Sequence, residues 1–442
     1  MSVQLIHGRI MRRKNIFGSA AVLVAVALST SGCLSSATPT ATDLGPETSK
    51  TTVSVMYAFG DVQDEAFRKD LNSFAEANGI TINYVQSDQF VELIQTKVAS
   101  DQAPDIAIFP QPGLLTGFAK EGKIAPLDTQ TDVESIKADI LPGFLDSATV
   151  DGVVYGAPVS MNAKSFYWYD KQAFAKAGLT APTTQAELMT LISKVKSMGK
   201  APLCFGLGSD ADTGWPATDW IEDYMLQTNS IEDYSKWVSG ELKFDSPQVR
   251  KSFQLYDDIV MAKGNVYGGA KNSAGIRFSD AFNPMFNANP GCYFGKQGSF
   301  ITSFFPKDVQ KNLDTRVGVF ATPSVDGQHP MLGGGDLAAA FTKNDANVKK
   351  VMNYITNDPK WGVNIAKSGA ALSPHKSFDA ANYPNNTIRE VAKLVADASV
   401  FGFDGSDQMT GGGRFFMTGM VDYTTGAVTL DQVLKQLDED RG

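Results

Sequence analysis

Two indoles bracket an acid in Gly214-Trp215-Pro216-Ala217-Thr218-Asp219-Trp220, and few segments of the chain carry so much recognition chemistry in so few residues. Phe282, Phe286, Tyr293, Phe300, Phe304 and Phe305 crowd into a stretch full of turn residues, and Arg414-Phe415-Phe416 follows Gly411-Gly412-Gly413. A saccharide presents C–H faces that stack on rings and hydroxyls that pair with carboxylates, amides and guanidinium, so such groupings suit carbohydrate. The plainer alternative is core packing. It is preferred for the Phe282 to Phe305 group, and Trp215 and Trp220 stand open between cleft and core.

Catalytic signatures are missing by comparison. The chain has no G-x-S-x-G elbow, no G-x-x-x-x-G-K-[ST] loop, no H-E-x-x-H and no C-x-x-C. His375 follows Pro374 and reads as a solvated histidine in a surface loop, not a general base. Asp210 with Asp212, and Asp404 with Asp407, fall short of the ligand spacing of a calcium loop and read as helix caps or turn residues. Paired carboxylates keep one enzymatic alternative open, an exported glycoside hydrolase, because that chemistry needs only two acids.

The elements that must position these residues start near the N-terminus. Val53, Val55 and Tyr57 alternate with polar residues as a strand does, Asp61 can cap a following helix, and Phe67, Leu71, Phe74 and Asn78 share one face of it. Ile80 to Val85 is a second strand, Phe90, Ile94 and Val98 mark a second helix, and Asp105 to Phe109 is a third strand. This βαβ series demands right-handed crossovers and a parallel sheet. Capping boxes follow at Thr184 with Glu187, ahead of the stripe Leu188, Leu191, Ile192 and Val195, and at Thr429 with Gln432. The length exceeds what one apolar core usually organises, so two α/β lobes are expected.

Arg12, Arg13 and Lys14, the apolar run Ala20 to Leu28 and the small residues ending at Cys33 read as a secretory signal over residues 1–32. That run is far shorter than the roughly 20 residues needed to span a bilayer. Residues 33–52, rich in Ser, Thr, Pro and Ala, read as a flexible tether. Without Arg9, Arg12, Arg13 and Lys14 the formal charge moves from −9 to −13. So acidic a surface argues against nucleic acid. Cys204 and Cys292 are the cysteines left beyond Cys33, and in an exported chain they invite a disulfide, with two buried thiols as the alternative.

Several blocks resemble a known family. Thr30-Ser31-Gly32-Cys33 resembles a bacterial lipobox, departing from it at Thr30. Ala103-Pro104-Asp105-Ile106, Gly122-Lys123-Ile124-Ala125-Pro126-Leu127 and Asp151-Gly152-Val153-Val154-Tyr155-Gly156-Ala157-Pro158 resemble the family 1 extracellular solute-binding proteins of bacterial ABC importers. Phe109-Pro110-Gln111-Pro112-Gly113, Pro290-Gly291-Cys292-Tyr293, Gly334-Gly335-Asp336-Leu337 and Phe403-Asp404-Gly405-Ser406-Asp407 are most similar to the α-glucoside-binding group within it. Both cysteines fit positions where that group carries cysteine. Met161-Asn162-Ala163 and Arg414-Phe415-Phe416-Met417 depart from the group's pattern, which leaves the particular sugar open.

The resemblance implies an α/β, two-lobe periplasmic-binding-protein-like fold of class II type with an inter-lobe ligand cleft. Lobe 1 would be residues 51–162 plus 334–385, and lobe 2 residues 163–333 plus 386–442. It implies capture of an α-glucoside di- or oligosaccharide by a monomeric lipoprotein held at Cys33 on the outer face of the membrane, handing sugar to ABC permease subunits. It implies no catalysis, cofactor or metal. Ligand contacts would come from Phe59, Gln89 and Gln111, from Asn162, Lys164, Gly335 and Asp336 at the crossing, and from Trp215, Asp219, Trp220, Phe300, Arg414 and Phe415 of the second lobe. A non-sugar solute on the same fold is the other alternative.

Overall fold

The computed structural model describes residues 44–87 and 89–442. Cys33 and the segment read as a secretory signal lie outside the described residues. The first sheet begins with β1 (Thr52–Tyr57), followed by α1 (Asp61–Ala77), β2 (Thr81–Gln86), α2 (Phe90–Ala99) and β3 (Ile106–Phe109). β1 lies between its partners and runs parallel to both, pairing Val55 with Tyr84 and with Ile106. The expected βαβ series is therefore present. Phe67 and Leu71 of α1 and Phe90, Ile94 and Val98 of α2 are buried, as their helical spacing requires. One detail moves by a residue: Gly60, not Asp61, holds the N-cap of α1.

After α3 (Pro112–Lys120) the chain returns as β4 (Ala157–Ala163), then passes through Lys164 and Ser165 into β5 (Phe166–Asp170) of a second sheet. The helices α4 (Gln185–Ser197), α5 (Trp215–Thr228) and α6 (Ile231–Ser239) follow, then β6 (Phe294–Lys296) and β7 (Val317–Ala321). This second sheet is antiparallel in the order β6-β5-β7, so the parallel pairing of β1, β2 and β3 is not repeated. Its strands come from segments far apart in sequence. Along β5 the side chains alternate: Phe166 and Trp168 join one apolar core, and Tyr167 joins another with Trp220, Phe253 and Leu434.

The chain re-enters the first sheet as β8 (Met331–Ala340), antiparallel to β4 and β3 and parallel to β9 (Phe401–Phe403). It then runs through a short turn of helix, α7 (Gly405–Gln408), into α8 (Arg414–Thr425) and α9 (Leu430–Arg441). The fold is the two-lobe α/β architecture with an inter-lobe cleft. Both capping boxes are present, at the starts of α4 and α9.

Cys204 and Cys292 are joined in a disulfide, with Cα atoms 5.3 Å apart. Of the segment read as a flexible tether over 33–52, Thr48 and Lys50 are tied to the fold. Asp345 accepts from the Thr48 hydroxyl at 2.6 Å and the Lys50 N–H at 2.9 Å while also capping a helix, and Lys50 pairs with Asp105 at 2.8 Å. His375 is also misjudged by its Pro-flanked setting. It is buried, its Nδ1 lies 3.0 Å from Asp139, and burial lowers its pKa. No described helix is long and apolar enough to cross a membrane.

Candidate functional site

A cavity of about 930 Å³ opens between the lobes. One wall is built from the starts of α2 and α3, which follow the C-terminal ends of β2 and β3, where open α/β sheets generally place ligand. It presents half-buried Val91 and exposed Glu92 and Gln95, on the side of α2 away from Phe90, Ile94 and Val98, together with Gln111 and Thr116. The facing wall carries Lys164 from the β4–β5 crossing, Trp215 at the start of α5, Phe300, and Asp404, Ser406, Asp407, Gln408 and Arg414 around α7 and α8.

Close packing and unusual backbone shape that second wall. Gly214 has φ 116, and a Cβ there would fall 2.3 Å from the Met417 carbonyl oxygen, so the glycine lets Trp215 begin its helix tight against α8. Gly411, Gly412 and Gly413 all have φ near 65, a run of left-handed residues that turns the chain from α7 into α8 beside the cavity. Trp215 and Phe300 sit 5.9 Å apart between ring centres, and both touch Phe278. The band ends at Phe304, which is 44% exposed.

Lys164 organises the charge. Its ammonium donates to Asp219 at 3.0 Å and to Asp404, and lies 5.2 Å from the Trp215 ring centre. Burial works against its charge, but Asp219 and Asp404 outweigh burial and keep its pKa high. Asp404 also accepts from the Ser406 hydroxyl at 2.7 Å and the Asp407 N–H at 3.1 Å, capping α7. Burial opposes ionisation of Asp404, yet Lys164 and these hydrogen bonds hold its pKa below the usual range. Glu222, fully buried, accepts from the N–H groups of Gly405 at 2.8 Å and Ser406 at 3.2 Å.

Burial pushes Asp407 up to about 8, aided by the Asp404 charge. It also lifts Asp219 to about 6 against the pull of Lys164. Glu222 is raised by burial too, then by Asp404. Asp407 thereby keeps its proton to higher pH than an ordinary carboxyl, and in that form it donates as well as accepts. Asp219, Glu222 and Asp404 bring carboxylate oxygens within 4.8 Å of one another, a grouping that would suit a cation. The Lys164 ammonium already bonds two of the three. Behind them Lys296 pairs with Asp223 at 3.1 Å and donates to the carbonyls of Lys164 and Asp219, fixing the backbone from which both side chains project.

Of the residues anticipated from sequence, Gln111, Lys164, Trp215, Phe300 and Arg414 line the cavity, and Asp219 lies behind Lys164. Trp220 does not line it: the indole is 1% exposed and packed among Tyr167, Phe205, Tyr224 and Tyr256, so it offers no face to a ligand. Phe415 packs on Phe244 outside the lining, and Phe59 stacks on Tyr57. Asp336 is held by Ser160 at 2.5 Å and Gln63 at 3.2 Å. At Gly335 a Cβ would meet the Ser160 carbonyl oxygen at 2.4 Å, so close strand packing accounts for the glycine. Gln89 precedes α2 and Asn162 lies in β4; neither borders the cavity.

Asp404, Ser406, Asp407 and Gln408 were absent from the anticipated set. Their signal was the D-x-x-D spacing of Asp404 and Asp407, which is a helix cap and a cavity wall at once.

The family model for bacterial extracellular solute-binding proteins matches residues 54–360. The osmoprotective compounds-binding protein GgtB of Synechocystis sp. is 37% identical over 83% of this chain and 86% of its own length. The alpha-glucosides-binding periplasmic protein AglE of Rhizobium meliloti is 34% identical over 84% of this chain and 82% of its own. Among solved structures, the bacterial solute receptor AcbH superposes with a TM-score of 0.74 at 18% identity, covering 90% of this chain and 98% of that one. The sugar-binding protein MalE from Xanthomonas citri superposes with a TM-score of 0.69 at 17% identity, over 88% and 96%. With the cleft, its two walls and the match over most of its length, the chain belongs to the bacterial extracellular solute-binding proteins.

Proposed function

We propose that this protein captures an α-glucoside, a di- or oligosaccharide, and delivers it intact to ABC permease subunits as a monomeric lipoprotein anchored through Cys33. The observation that carries the reading is the pairing of Trp215 and Phe300 with a hydrogen-bonding wall of Asp404, Ser406, Asp407 and Arg414, opposite Gln111 on the other lobe. Sugar C–H faces stack on the rings while hydroxyls find the polar groups. The 34% relative named for alpha-glucosides supports this sugar class. The lobes are taken as residues 51–162 with 334–385 and residues 163–333 with 386–442, hinged so that ligand favours closure by touching both walls.

A hydrolase on this site would need a carboxylate free to attack or to activate water. Asp404 has both oxygens engaged by Lys164, Ser406 and the Asp407 N–H, and Asp219 is held by Lys164. Ligation, not chemistry, is therefore the role these two acids are arranged for. Calorimetric titration with maltose, trehalose, sucrose and isomaltose, followed by chromatography of the recovered sugar, tests the reading. Stoichiometric binding of at least one of them with no new product is expected. Turnover, or binding of none of the four, would refute it.

A further inference from the structure

Helix α5 carries acids at Asp219, Glu222 and Asp223, the i, i+3 and i+4 positions of one helix face, and all three are buried. Acids at that spacing repel one another when ionised unless each finds its own partners. Each does, and the partners come from the stretches where the chain passes between the first sheet and the second lobe. Leaving β4, Lys164 donates to Asp219 at 3.0 Å and the Ser165 hydroxyl donates to Asp223 at 2.7 Å. Between β7 and β8, the Thr322 hydroxyl donates to the other oxygen of Asp223 at 2.5 Å, and at the far end of that passage the Leu332 N–H donates to the Ser165 hydroxyl oxygen at 2.8 Å. Leaving β9, Gly405 and Ser406 donate their N–H groups to Glu222.

Asp223 joins two of these passages. Its carboxylate is fully buried, takes a hydroxyl from a different passage on each oxygen and pairs with Lys296 of β6 at 3.1 Å. The passages also bond to each other, through the Thr322 N–H to the Ser165 carbonyl at 2.9 Å and the Lys164 N–H to the Leu332 carbonyl at 2.7 Å. Those bonds hold the passages side by side. The carboxylate adds an attachment to α5 and so ties both to the body of the second lobe. A buried ion pair adds little stability over apolar residues of the same volume, so what Asp223 and Lys296 contribute is a fixed direction of crossing. Trp215, in the cavity wall, opens the same helix, and about 12 Å of helix separates it from Asp223.

We infer that Glu222 and Asp223 are positioning residues for ligand capture: they seat the inter-lobe passages on α5, so that the angle between the lobes and the place of Trp215 in the cavity wall are set together. Neither residue borders the cavity, so they act through the passages and not on the ligand. The inference goes beyond the α-glucoside reading and requires no particular sugar.

The test measures, without sugar, the distance between spin labels placed at exposed positions in the two lobes, Lys69→Cys and Lys251→Cys, in the whole chain carrying Cys33→Ser. Ser165→Ala and Thr322→Val each remove one hydroxyl from Asp223 and leave its pair with Lys296 in place, while Thr322→Ser keeps the hydroxyl as the conservative control. Asp223→Asn is the stronger change, and thermal melting shows whether it folds; the two hydroxyl variants decide the matter if it does not. In Ser165→Ala and Thr322→Val the distance distribution is expected to be about twice as wide as in the unaltered protein, and in Thr322→Ser to match it. The same two variants are expected to bind the tightest-binding sugar of the titration panel about tenfold more weakly, chiefly through faster release. Folded variants whose lobe distances match those of the unaltered protein, or whose sugar affinity is unchanged, overturn the inference even where melting temperature falls, because a merely structural role lowers melting without moving the lobes. If no sugar binds, the α-glucoside reading falls and the distance measurement alone decides this one.

Discussion

Trp215 and Trp220 show what residue type alone leaves undecided. Five residues along a helix turn the side chain by about 500°, which leaves the two indoles roughly 140° apart around the axis, so one helix face cannot present both. Trp215 faces the cavity and Trp220 the core. The roles separate in measurement. Trp215→Ala is expected to weaken sugar binding tenfold or more, about 1.4 kcal/mol, with little change in melting temperature. Trp220→Ala is expected to destabilise the fold by about 3–5 kcal/mol through the cavity it leaves. Calorimetry and denaturant melts on both variants check the assignment, and the reverse pattern would exchange their roles.

Asp407 makes a pH prediction at the same scale. Its carboxyl rises from 3.8 to about 8 on folding, so between those values the unfolded chain has lost a proton that the folded protein keeps. Stability must therefore fall as pH rises through that window, and Asp407→Asn, which has no proton to lose, removes this contribution. Melting temperature against pH for both proteins is expected to show the variant gaining on the wild type towards pH 8. Parallel curves would contradict the raised pKa.

At the scale of elements, what was legible in sequence was local. The βαβ series and both capping boxes follow from spacing within a dozen residues, and each is present. The second sheet was not legible in that way. β5 pairs Tyr167 with Lys296 and with Phe320, partners more than 120 residues away that no local period announces. His375 was hidden for the same reason, because Asp139 reaches it across 236 residues. The disulfide is another long-range link, spanning 88 residues, and its loss by Cys204→Ala with Cys292→Ala is expected to cost roughly 4–5 kcal/mol on the chain-entropy model. Urea denaturation of the double variant measures this, and unchanged stability would mean that packing around both positions suffices without the bond.

At the scale of the whole molecule, the parts of the site come together only because strands cross between lobes. Lys164 leaves the first sheet at the end of β4, Asp404 leaves it at the end of β9, and the two meet in an ion pair on the cavity wall. The family resemblance marked the Phe403 to Asp407 segment without saying what it does, since its role depends on Lys164 and Glu222 from two other segments. Gln111 on the opposite wall completes the cleft from the first lobe. A crystal structure grown with the tightest-binding sugar of the titration panel tests the central claim most directly. The account predicts an uncleaved saccharide with a ring face against Trp215 or Phe300 and polar contacts from both walls. Sugar bound away from those rings, touching one lobe only, or cleaved at its glycosidic bond would contradict it.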